Sequence, residues 1–262
     1  MRSVGSPIPR GHGGPILRSL SAVPALACLV LAAAILLVPA LARGTGTAAS
    51  TPAAPGDKYA DRAEEAGIVL DEVMGTPEAS IPEWLLSEAH CLAVIPNVVK
   101  VGFVFGGRHG RGLVSCRVDG RWSRPSFVRI TGGSFGLQIG AQATDFILVF
   151  ANRKAAERLT EDKFTLGGDA SVAAGPVGRT ASAGTDIKLQ TEIYSYSRSR
   201  GLFAGISLEG ASLGTDEDAN WDVYGDGVEP EDLLFNSGDI PQDVASFVES
   251  LERHVPAGSY EG

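Results

Sequence analysis

The stretch from Ile95 to Asp145 consists of short apolar segments broken by glycine and polar residues. Runs of that kind form antiparallel strands, because glycine and polar turns interrupt them too often for a helix to propagate. A two-residue period is visible near its end: Phe135, Leu137, Ile139 and Ala141 fall on one face, and Ser134, Gly136, Gln138, Gly140 and Gln142 on the other. Val101, Phe103 and Phe105 alternate in the same way with Gly102, Val104 and Gly106. Glycine repeated on one strand face supplies no side chain, so it predicts close approach by another backbone or by a ligand.

Charge is distributed unevenly around this run. Residues 97–144 hold seven basic side chains (Lys100, Arg108, Arg111, Arg117, Arg121, Arg124, Arg129) and one acidic one, Asp119. From Ser207 onward there are fourteen acidic residues, opposed only by Arg253. Over the whole chain the net charge is −9, which argues against a general nucleic-acid binder.

The first 56 residues contain no acidic residue. Arg2, Arg10 and Arg18 precede an apolar run, Ala25 to Leu41, that ends in the small-x-small pattern Ala40-Leu41-Ala42. Residues 1–42 therefore read as a secretory signal peptide or, if uncleaved, a membrane anchor centred on residues 20–42. Residues 43–56, rich in Ala, Thr, Pro and Gly, read as a flexible linker, and residues 256–262 as a tail. The expected location is exported, periplasmic or attached to the cell envelope. Cys91 and Cys116 remain after cleavage. An oxidising compartment permits a disulfide between them, tying the first strand to the third, and two buried free thiols are the alternative.

Helices flank the strands. Tyr59, Ala63, Ala66, Leu70 and Val73 form one helical stripe ended by Gly75. Ser80-Ile81-Pro82-Glu83 matches a capping box for a second helix to about Ala89, and Asn152 is placed to cap a third to about Leu159. A second β block is expected at Ala170–Ala174, Asp186–Ser195 and Leu202–Leu208. The acidic region from Asp216 reads as helical, and its last helix, opened by Pro241, buries Val244, Phe247, Val248 and Leu251. The fold class is α+β, an antiparallel β-sandwich or partly closed barrel flanked by N- and C-terminal helices.

Chemistry-bearing motifs are few. Gly132-Gly133-Ser134-Phe135-Gly136 matches the string of a nucleophile elbow, but that elbow needs a helix directly after the serine, and here a strand pattern follows. A hydrolase using Ser134 is thus a minor alternative. Residues 106–112, Gly-Gly-Arg-His-Gly-Arg-Gly, read as a hairpin with a charged tip able to hold a phosphate. The histidines are too scattered for a metal site, and no cofactor is expected.

Several motifs in one order are similar to the SYLF domain. They are Ala93-Val94-Ile95-Pro96, Lys100-Val101-Gly102-Phe103, Gly110-Arg111-Gly112, Trp122-Ser123-Arg124-Pro125, Gly136-Leu137-Gln138-Ile139-Gly140, Thr165-Leu166-Gly167-Gly168, Gly175-Pro176-Val177-Gly178-Arg179 and Ser199-Arg200-Gly201-Leu202-Phe203-Ala204-Gly205. The resemblance covers residues 57–255 and suggests an exported bacterial member. It implies a non-enzymatic lipid-binding module, associated in eukaryotic members with phosphoinositides and with actin. Those lipid-binding members carry a lysine-rich first helix, whereas residues 57–74 here set Lys58 and Arg62 against six acidic residues. Headgroup binding is therefore expected on the basic sheet, through Lys100, Arg108, Arg111, Arg117 and Arg129. The expected partner is an anionic phospholipid or membrane surface. A protein partner or an envelope-structural role is the alternative, and actin is not expected to meet an exported protein.

Overall fold

A computed structural model describes residues 57–76, 80–102, 105–135, 142–178 and 191–255. The expected signal or anchor, the linker, the tail and the alternation at residues 136–141 lie outside these residues. None of the described helices is long and apolar enough to cross a membrane.

The described residues begin with α1 (Asp57–Met74) and α2 (Glu83–Glu88). Then come β1 (Cys91–Gly102), β2 (Phe105–Val118), β3 (Arg121–Trp122), β4 (Ser126–Phe135) and β5 (Gln142–Phe150). A short α3 (Arg153–Glu157) leads to β6 (Lys163–Thr165), β7 (Val172–Ala174), β8 (Ile193–Ser199), β9 (Leu202–Gly205) and β10 (Ala211–Thr215). The last described elements are α4 (Glu217–Tyr224), α5 (Pro230–Phe235) and α6 (Gln242–His254). The main path of the sheet is β6-β10-β4-β2-β1-β5-β8-β7, with β3 paired to β2 and β9 to β8. It curls strongly into a half-barrel, with helices at both ends of the chain, which bears out the α+β, partly closed barrel. β7 departs from the antiparallel rule by running parallel to β8.

Over its central part the sheet is covered on both faces, and its strands there carry apolar residues on both sides. Leu92, Val94, Leu113, Phe127, Ile147, Val149, Tyr194 and Tyr196 pack under α1, α2 and α6. Cys91, Ala93, Ile95, Val114, Cys116, Val128, Ile130, Phe146, Leu148 and Phe150 face the other way, onto α3, Phe164, Leu166, Leu213 and Leu234. The predicted stripe of α1 is buried as expected, and so are Val244, Phe247, Val248 and Leu251 of α6. These two helices meet at Gly67, where an added Cβ would stand 3.2 Å from the Ser246 carbonyl oxygen. Asp71 of α1 accepts hydrogen bonds from Ser250 Oγ at 2.6 Å and Arg253 Nη1 at 2.7 Å, and lies 2.9 Å from His254 Nε2.

Some local expectations are corrected. α2 starts at Glu83 with Pro82 as its N-cap, two residues later than a box opened by Ser80 would start it, and the Pro82 carbonyl accepts from the Leu85 and Leu86 N–H groups. Asn152 does cap α3, accepting from Ala155 N at 2.8 Å. β6 and β10 were not anticipated. β6 is a three-residue edge and β10 is rich in small residues, so neither shows a clear apolar period. Residues 106–112 form no hairpin tip but lie within β2.

Beside this segment β1 carries a β-bulge. Val94 pairs with Leu113 and Val99 with His109, so β1 carries one residue more than β2 between these points. Asn97 adopts positive φ (51°) there, and its N–H donates to Asp145 Oδ1 at 2.9 Å. The bulged backbone crowds β2: a Cβ at Gly112 would lie 2.1 Å from the Val94 carbonyl oxygen, and one at Gly110 2.5 Å from Val98 Cγ2. Gly110 and Gly112, read in the sequence as part of a hairpin, instead serve close backbone approach inside a strand.

Cys91 and Cys116 stand directly opposite each other on β1 and β2 and are joined as a disulfide. The bond links neighbouring strands, the first and second, instead of the first and third.

Candidate anion-binding face

Side-chain alternation divides the five basic residues singled out on the sheet. Leu113 and Phe127 point toward α1, so Arg111, Arg117 and Arg129, at odd positions of β2 and β4, share that side. Val114 and Val128 point the opposite way, and so does Arg108. The bulge inverts the alternation of β1, placing Val99 on the α1 side and Lys100 beside Arg108 on the far side. The five residues therefore do not converge on one surface.

Arg117 is half-buried and structurally engaged. Its guanidinium lies 5.2 Å from the Trp122 ring centroid, and Nη2 donates to the Leu86 carbonyl oxygen at 3.1 Å. It fastens α2 to the β2–β3 corner.

Arg111 and Arg129 are exposed and directly opposed across β2 and β4. Beside Arg111 an open groove of about 470 Å³ separates α1 from the sheet. Lys58, Asp61, Arg62 and Glu65 line it from α1, and Pro96, Asn97, Val99, His109 and Gly110 from the sheet. Val99 is 41% exposed there, an apolar contact within a charged rim. Behind the groove is Asp216, the residue before α4, whose side chain is 4% exposed. Its Oδ2 lies 3.6 Å from both Arg62 Nη1 and Arg111 Nε. Arg62 also leans over the rings of Tyr59 and Phe127, at 5.7 and 5.5 Å. Burial works against the Arg62 charge and lowers its pKa, while Asp216 partly restores it.

Thus one carboxylate is shared by two guanidinium groups, and Arg129 makes no ion pair among the described residues. Arg62, Arg111 and Arg129 together therefore outnumber the one carboxylate they adjoin, whereas Lys58 is paired with Asp222. Sequence reasoning set Lys58 and Arg62 aside as outweighed by acidic neighbours, placed His109 on a hairpin tip, and missed Asp216. The i, i+4 spacing of Lys58 and Arg62 was a usable signal, but nothing local places Asp216 under β2.

Ser134 sits within β4, opposite Gly106, and not on a strand-to-helix turn. The elbow context is therefore not met at the serine. His254, at the end of α6, is partly buried against Asp71. No group of three or more His, Cys, Asp or Glu among the described residues could hold a metal ion.

The family described as Ysc84, Las17-binding protein actin regulator, matches residues 131–254. An SH3 domain-containing protein of Schizosaccharomyces pombe is 41% identical over 179 residues, 67% of this chain and 41% of that protein. The chain carries a SYLF domain of the Ysc84 family. Protein YSC84 of Saccharomyces cerevisiae is 36% identical over 186 residues, covering 70% of this chain and 39% of that protein. The human SH3 domain-containing YSC84-like protein 1 is 33% identical over 188 residues, covering 71% and 55%. The chain thus spans about four tenths to somewhat over half the length of these curated relatives. The SYLF resemblance read from the ordered motifs is confirmed.

Proposed function

We propose that this SYLF domain is a non-enzymatic module that docks on membranes displaying anionic phospholipid, phosphoinositide-type headgroups included. The observation that carries the reading is the exposed Arg111–Arg129 pair, opposed across β2 and β4, for which Asp216, shared with Arg62, is the one ion-pair partner among the described residues. Like charges directly opposed across strands repel, and an anionic surface relieves that repulsion. Exposed Val99 adds apolar contact at the groove. The first helix does not supply the charge: Asp61, Glu64 and Glu65 offset Lys58 and Arg62.

An exported, envelope-associated location belongs to the same reading. It is supported by the basic leader-like start of the chain and by the Cys91–Cys116 disulfide, since such bonds persist in oxidising compartments.

Co-sedimentation of the full chain with phosphatidylcholine vesicles, with and without phosphatidylserine, tests the proposal. Binding is expected only to the anionic vesicles. Joint Arg111→Gln and Arg129→Gln replacement should weaken it roughly tenfold or more, at about 1 kcal/mol per basic residue near the surface. Equal binding to both vesicle types, or none, overturns the reading.

The family description favours a second reading, a protein partner. The expectation that actin is not that partner rests on export alone, so co-sedimentation with actin filaments is the matching test. Filament pelleting without lipid dependence supports the second reading.

A further inference from the structure

On the sheet face turned away from α1, Lys100 of β1 and Arg108 of β2 are directly opposed in register. Both are half-buried. The Lys100 ammonium lies 5.8 Å from the Phe146 ring centroid, whose ring belongs to the core on that side. Arg108 Nη2 donates to the Gly133 carbonyl oxygen at 3.2 Å, while its Nε is buried without a hydrogen-bond partner. Neither cation forms an ion pair with a carboxylate among the described residues. The adjoining sequence offers none either, since residues 101–107 and 132–144 contain no Asp or Glu.

Two features make this arrangement costly when nothing is bound. Opposed like charges destabilise a strand pair, and a buried donor without a partner loses its hydration. Burial, and then the charge of Arg108, push the Lys100 ammonium below its ordinary value. Arg62 and Arg111 on the other face share Asp216; this pair has no such counter-ion.

We infer that Lys100 and Arg108 form a second anion site, separate from the docking face proposed above, that binds a phosphate group on the core side of the sheet. A guanidinium fork beside an ammonium suits the several acceptor oxygens of phosphate, and the Phe146 ring supplies an apolar wall. The same chemistry serves a soluble phosphate or phosphomonoester and a phospholipid headgroup.

The test is thermal unfolding of the full chain in chloride and in inorganic phosphate at matched ionic strength and pH. Wild-type protein is expected to melt about 3 °C higher once phosphate is about tenfold above half-saturation. Lys100→Gln and Arg108→Gln, singly and together, should abolish that rise. They should also melt higher than wild type in chloride, because the repulsion is gone. Arg111→Gln/Arg129→Gln should keep the phosphate-dependent rise, which separates this site from the docking face. No phosphate-specific rise in the wild type, or one that survives loss of both Lys100 and Arg108, overturns the inference. A vesicle arm identifies the source. Loss of binding to phosphatidic acid vesicles in Lys100→Gln/Arg108→Gln supports a headgroup, and unchanged binding beside a lost phosphate effect supports a soluble phosphate.

Discussion

Gly112 shows how one residue can be dictated by backbone geometry. With Val94 O only 2.1 Å from where its Cβ would stand, Gly112→Ala requires β1 and β2 to separate. We predict a loss of about 3 kcal/mol, measurable as a lower urea midpoint with an unchanged slope. Asp216 is the electrostatic counterpart. Asp216→Asn leaves Arg62 desolvated without its counter-charge and should cost about 3 kcal/mol, the scale for breaking a buried pair. The same change frees Arg111, so the variant should bind anionic vesicles more tightly while melting lower. A variant that melts lower and binds less would show that Asp216 positions Arg111 and does not restrain it.

Among the elements, α1 and α6 are joined by Asp71. Burial opposes the charge on Asp71, but hydrogen bonds from Ser250, Arg253 and His254 outweigh burial and hold its pKa below the ordinary carboxylate value. A carboxylate lowered in the folded state stabilises the fold above the unfolded-state pKa of about 4, and that stabilisation is lost as pH falls through the lower folded value. Asp71→Asn should therefore lower the melting temperature at pH 7 and differ less from wild type near pH 3. β1 and β2 are joined differently, by the Cys91–Cys116 bond, which spans 25 residues of sequence. Reduction, or Cys91→Ala with Cys116→Ala, should destabilise by about 2–4 kcal/mol, read from denaturant unfolding with and without reductant. Element existence was legible wherever a period was long: the stripes of α1 and α6 gave those helices correctly. β6 and β10 were not legible, because three- to five-residue strands of small or charged residues owe their conformation to the neighbours that pair with them.

At the scale of the molecule, the sheet separates two basic pairs. Arg108 and Arg111 are only about 10 Å apart along β2 but project from opposite faces and share no partner. Stability changes from neutralising Lys100/Arg108 and Arg111/Arg129 should therefore add within about 0.5 kcal/mol in a double-mutant cycle. A larger coupling would show that the two faces act as one charged body. From sequence alone came the α+β class, the two main helical stripes, the basic character of the first β block and the SYLF motif order, all of which rest on local period or composition. The tertiary structure decided which basic residues stand together and which are already neutralised. One extra residue at Pro96–Asn97 inverts the alternation of β1, so Lys100 meets Arg108 and Val99 turns to the groove. Asp216 reaches Arg111 only because β10 is laid beside β4. Strand register and non-local charge pairing are set by contacts across the sheet, and no local pattern in the chain encodes them.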